Sequence, residues 1–274
     1  MKKSILSLLV VAAFVFSVTS CGGKKANENV AQEEAAVVAG NVPKSLLTEE
    51  VKTETVQFLK DLPDSDIPYR IATGEVKLGV GNLSFMLPVA KAAELATPSQ
   101  KARAIGIYFA DFNVLKALGQ PFTDVENVLA KLTSDLNITF VLNILKEQVP
   151  PPTSKEEFAA ALKVQEDRLI DELAVNNKVD VQIEILSGAT AEFACVYANP
   201  SLVVQGDATS AGLSDNMQKR LQTLSQITSD LTVYYPDLKT LGETINPLQE
   251  KVTSIQTARN NSAAILGIRD ALLK

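Results

Sequence analysis

Carboxylates set among apolar neighbours are the residues of this 274-residue chain whose type and setting suit chemistry. Asp111 sits in Gly106-Ile107-Tyr108-Phe109-Ala110-Asp111-Phe112, and Glu192 in Gly188-Ala189-Thr190-Ala191-Glu192-Phe193. A carboxylate taken out of water must be paired or hydrogen-bonded, so each acid marks either a structural bond between helices or the wall of a pocket. Tyr108, three residues before Asp111, would bring a hydroxyl to the same helix face. Tyr108, Asp111 and Glu192 therefore form a candidate cluster with both readings open.

Other chemistry is narrowed by what the chain lacks. It has no histidine and no tryptophan. Without histidine there is no Ser-His-Asp or Cys-His nucleophile, no HExxH zinc site and no His-ligated haem. A pair of acids could in principle hydrolyse glycosides, but the sugar-stacking tryptophans are missing. The two cysteines are Cys21 and Cys195. Cys195 lies in FACVY with no cationic neighbours to activate it, and reads as a small buried residue. The acids Glu166, Asp167, Asp171 and Glu172 suit a solvated helix face better than a cation site. Gly79-Val80-Gly81 is only a fragment of a dinucleotide fingerprint. The expectation is no catalytic residue, no metal site and no cofactor.

The elements that must position Asp111 and Glu192 are helices. Thr97-Pro98-Ser99-Gln100, Thr123-Asp124-Val125-Glu126 and Ser154-Lys155-Glu156-Glu157 carry capping-box spacing, which satisfies the free N–H groups of a helix start. Each leads into an apolar stripe: Ile105, Phe109, Phe112, Leu115; then Val125, Leu129, Leu132, Leu136; then Phe158, Leu162, Leu169, Leu173. Val179, Ile183, Leu186, Thr190, Phe193 and Tyr197 keep helical steps through the Glu192 segment, although VDVQIEI alternates as a strand would. Leu213 to Tyr235 and Leu238 to Ile255 predict two long helices with narrow seams, joined at Tyr234-Tyr235-Pro236. Pro247 predicts a kink, or a break with coaxial restart, in the second. EVKLGVG at 75–81 is read as helix broken near its glycines, against a competing strand pattern. Residues 62–68, 149–153 and 198–212 read as loops, with Pro150-Pro151-Pro152 a rigid connector. The fold class expected is all-α, a multi-helix bundle of stacked antiparallel helical hairpins.

The amino-terminal segment carries an address. Lys2 and Lys3 precede an apolar run, Ile5 to Val18, of secretory-signal length and too short to span a bilayer. Val18-Thr19-Ser20-Cys21 resembles a bacterial lipobox. The resemblance implies a diacylglyceryl group on the Cys21 sulfur, cleavage after Ser20 and acylation of the new amino terminus, and two or three acyl chains make a stable anchor. Cleavage would remove two lysines and move the net charge from −6 to −8. So acidic a surface repels nucleic acid, and the bilayer would be engaged through acylated Cys21. Gly22 is not the Asp that retains lipoproteins at the inner membrane, and Lys24 and Lys25 precede any acid, so the expected location is the outer membrane, facing the periplasm. The expected organisation is a signal peptide at 1–20, a lipidated tether at 21–47 and a single all-helical domain at 48–274.

The order of lipobox, tether, GIYFADF, SDLNI, LAVNN, SGATAEFACVY and a final helix pair resembles a family of all-helical lipoproteins of Bacteroidota bacteria, over about residues 98–260. Gly106, Tyr108, Ala110, Asp111, Gly188 and Glu192 match its GVYGADL-type and glycine-aromatic-Glu helices, while Phe109, Ala189 and Thr190 depart from them. The resemblance implies a helical fold and an envelope location, and assigns no activity. Two functions stay open: an interaction or scaffold domain with an envelope protein or peptide as partner, or a small-ligand protein with a pocket between helices around Tyr108, Asp111 and Glu192.

Overall fold

The computed structural model describes residues 47–63, 66–146 and 155–274. The lipobox, Cys21, the tether up to residue 46, the Ser154 capping box and the proline connector lie outside the described residues. Helices dominate: α1 (Glu49–Lys60), α2 (Asp66–Ala72), α3 (Pro98–Ala117), α4 (Thr123–Asp135), α5 (Thr139–Lys146), α6 (Lys155–Val175), α7 (Val179–Tyr197), α8 (Asp207–Asp230), α9 (Asp237–Ile245), α10 (Leu248–Lys251), α11 (Ile255–Asn260) and α12 (Ser262–Ala271). The protein is all-α, with one two-strand ribbon, β1 (Val76–Lys77) and β2 (Val203–Val204), paired antiparallel. Among the described residues no helix is long and apolar enough to cross a membrane.

The middle of the molecule is α7. Nearly every side chain of this helix is buried, including Gln182, Glu184, Thr190 and Glu192, so it is enclosed by other elements on all sides. It packs against α3, α6, α8, α9, α11 and α12. The closest of these approaches is the crossing with α3, and two glycines permit it. A Cβ on Gly106 would stand 1.8 Å from the Ile185 carbonyl oxygen, and one on Gly188 would stand 2.0 Å from that of Arg103. The two backbones therefore touch directly, which carries Asp111 and Glu192 into a shared interior. Apolar side chains on one side of this crossing join Val125, Leu129, Leu132 and Val141 of α4 and α5, and on the other side they join the core under α8 and α9.

Local chemistry explains the helix limits. Thr97 accepts from the Gln100 N–H at 3.1 Å while the Gln100 side chain accepts from the Thr97 N–H at 2.9 Å, a complete capping box at α3. Thr123 departs from expectation: it is the first residue inside α4, and the cap position belongs to Phe122, which supplies no side-chain bond. Behind α4, α6 and α3, left-handed Asn137, Asn177 and Gly119 reverse the chain. At each, paired bonds such as Ile138 N–H to Thr133 O and Asn137 N–H to Ser134 O close the last turn in the Schellman pattern.

Three segments differ from the sequence reading. Residues 75–81 are not helix: Val76 and Leu78 are buried and Lys77 exposed, so the alternation is that of β1, followed by a short 3-10 turn at Val80–Asn82. The segments read as loops are shortened, because α2 already begins at Asp66 and α8 at Asp207. The second of the two long carboxy-terminal helices, expected over Leu238 to Ile255, is broken into α9, α10 and the start of α11. Pro247 caps α10, and Ser254, accepting from the Thr257 N–H at 3.0 Å, opens α11. The seam survives these breaks, since Leu238, Leu241, Ile245, Leu248, Val252 and Ile255 are all buried.

Candidate functional site

Tyr108, Asp111 and Glu192 come together, each no more than 1% exposed. The first two project from α3 and the third from α7, next to the glycine crossing. Two further parts complete the cluster. Arg269 of α12, 5% exposed, donates from Nη1 to Glu192 Oε2 at 2.6 Å and to the Phe85 carbonyl at 3.0 Å, and from Nε to Asp270 Oδ1 at 2.7 Å. The irregular strap Phe85–Pro88 runs over the acids. Its Leu87 N–H donates to Asp111 Oδ2 at 3.3 Å, and its Pro88 carbonyl accepts from the Tyr108 hydroxyl at 2.9 Å.

These bonds leave one oxygen on each acid, Asp111 Oδ1 and Glu192 Oε1, without a donor from the rest of the protein, while the two carboxyl groups lie within hydrogen-bonding reach of one another. Oxygens of two carboxylates cannot bond without a hydrogen between them. Burial, reinforced by the Glu192 charge, holds Asp111 well above the usual carboxylate range. Burial also pushes Glu192 up, to about 7, against the opposing pull of Arg269. The two titrate as a pair. Burial thus favours a hydrogen held between the two carboxyl groups, with the Arg269 guanidinium bonded to Glu192. Burial raises Tyr108 as well, so its hydroxyl stays a neutral donor.

The chemistry available to such a cluster is proton storage and fixed hydrogen bonding. Cys195, one turn after Glu192, is buried, and burial pushes its thiol up, away from the nucleophilic thiolate. Among the described residues no group of three or more Cys, Asp and Glu side chains is placed to hold a metal ion. The charged stretch of α6 is occupied by cations: Glu166 pairs with Arg220 at 3.0 Å and Asp171 with Lys60 at 2.6 Å, and Asp167 bonds Lys163. Comparison of the chain with known protein families, characterised proteins and solved structures gives no match.

Arg269 and the strap are absent from the sequence reading of the site. A signal for Arg269 exists, because it takes a seam position between Ile265 and Leu272, where steps of four and three demand an apolar residue. The strap carries no such signal, since it enters through backbone N–H and C=O groups that every sequence possesses.

Proposed function

We propose that this chain is a lipid-anchored protein of the bacterial envelope, held by acylated Cys21 at the outer membrane and facing the periplasm, whose helical body is a non-enzymatic interaction or scaffold domain. The observation that carries the choice of scaffold over ligand pocket is the complete burial of Tyr108, Asp111 and Glu192 beneath the strap. Tyr108 and Asp111 bond the strap and Glu192 bonds Arg269, and all three are at most 1% exposed, closed off from solvent. A binding pocket keeps convergent polar groups open toward a cavity. The lipobox residues Val18-Thr19-Ser20-Cys21 and the resemblance to Bacteroidota lipoproteins support the envelope address.

Metabolic labelling with a fatty-acid probe tests the anchor. The wild-type chain is expected to take up label and fractionate with membranes, and Cys21→Ala to lose the label and accumulate as precursor, because no other residue at the cleavage site can form the thioether. Label retained on the variant overturns the anchor. Mass spectrometry of extracts from protein purified from its host tests the body: a stoichiometric small molecule would replace the scaffold reading with the pocket one.

A further inference from the structure

The strap Phe85–Pro88 makes three bonds to the buried cluster, Leu87 N–H on Asp111, Phe85 C=O on Arg269 and Pro88 C=O on Tyr108, beside two backbone bonds to its own neighbours in the chain, Met86 N–H to Leu83 O and Lys91 N–H to Pro88 O. Met86, Leu87 and Pro88 also share with Phe122 and Val125 the lining of a groove of about 370 Å³. The strap therefore borders both the acid pair and the groove. The titratable groups facing the pair are Tyr108 from α3, Cys195 from α7, and Arg269 and Asp270 from α12. The strap itself offers only backbone, because Ser84 to Val89 contains no ionisable side chain.

A charge count follows. Arg269 is the cation of the cluster, and its Nε is already engaged by Asp270. With one proton between Asp111 Oδ1 and Glu192 Oε1, the buried trio of Asp111, Glu192 and Arg269 is neutral. Without it, two carboxylates face each other in the interior across a gap no donor fills.

We propose that this proton is a latch: while Asp111 and Glu192 share it the strap stays seated on the helices, and its loss to solvent releases the strap and reshapes the groove beside α4. The strap is the part that yields. Asp111 and Glu192 sit on helices whose backbones are locked together at Gly106 and Gly188, whereas the strap has no helical ladder of its own and is held by its bonds to the cluster and by the buried Phe85 and Leu87 side chains.

Hydrogen exchange read by mass spectrometry on the full chain tests the latch. After correction for the intrinsic pH dependence of exchange, the peptide covering residues 83–89 is expected to exchange at least about tenfold faster at about pH 9 than at about pH 5, while peptides at the α3–α7 crossing keep their protection. Asp111→Asn is the informative variant. Its amide can donate to Glu192 and accept from the Leu87 N–H, and has no proton to release, so protection of the strap should become flat with pH. A flat wild-type profile, or an Asp111→Asn profile that rises with the wild type, overturns the proposal. Should Asp111→Asn not fold, infrared difference spectra of wild type carrying isotope-labelled aspartate decide: a protonated aspartic acid at neutral pH is required, and its absence overturns the latch.

Discussion

Asp111 has one N–H donor, from Leu87 at 3.3 Å, where a carboxylate in water has several, so the protein solvates its charge poorly and its proton stays. Linkage gives this a sign. Both acids hold protons more tightly folded than unfolded, so the native state carries the extra proton and stability falls as pH rises. The fall starts from the ordinary carboxyl range near pH 4, where the unfolded chain ionises, and continues through about 7, the value to which Glu192 is pushed. Each proton involved contributes about 1.4 kcal/mol per pH unit. Denaturant midpoints measured across this range should show the decline for wild type, and it should weaken in Asp111→Ala. At neutral pH the same variant strands the Leu87 N–H and removes the donor to Glu192 Oε1, with an expected loss of about 1 to 3 kcal/mol. Equal midpoints and slopes for wild type and variant would sink the structural account of Asp111. The two acids were legible in the sequence because a charge inside an apolar helix is conspicuous. Arg269 follows the same rule, since it occupies a seam position between Ile265 and Leu272.

At the scale of elements, the α3–α7 crossing turns on two hydrogen atoms standing where methyl groups would collide. In Gly188→Ala the new Cβ would lie 2.0 Å from a backbone oxygen, and a helix backbone cannot turn aside as a flexible side chain does. The helices must separate, and the expected loss is about 3 kcal/mol or more. Gly267→Ala is the matched control: it lies within α12 with nothing within 4 Å of the added carbon, and should stabilise by roughly 0.5 to 1 kcal/mol through helix propensity. Thermal melts in which the two variants behave alike would show that the crossing does not set stability. Such features divide by range. The Thr97 capping box and the period of α7 are local and were read correctly. The strand at Val76–Lys77 needs Val203–Val204, more than a hundred residues away, to supply its partner, so no local pattern could choose it over helix.

Across the whole molecule, the core is built around α7 by helices drawn from both sides of it in sequence, and the described body begins within a residue of the Thr48 cap. A chain starting at Thr48 should accordingly stay soluble and give a circular dichroism spectrum dominated by helix; a strong strand component, or aggregation, would count against residues 48–274 folding without the preceding segment. Composition and periodicity gave the helical class early, because most helices here carry their own seam. The central position of α7 was not legible, since its polar residues Gln182, Glu184 and Glu192 fall where a solvated face would be expected, yet all are buried.

The pairing of Glu192 with Arg269 also orders events in time. The arginine follows its partner by 77 residues, so a chain emerging from a ribosome or a translocation pore presents both acids well before the cation that neutralises one of them. Before α12 is in place, bringing α3 and α7 together would bury the acids without their cation, which costs free energy unless they are protonated or hydrated. In the folded protein Arg269 bonds both Glu192 and the Phe85 carbonyl of the strap, so seating of α12 and of the strap share one side chain.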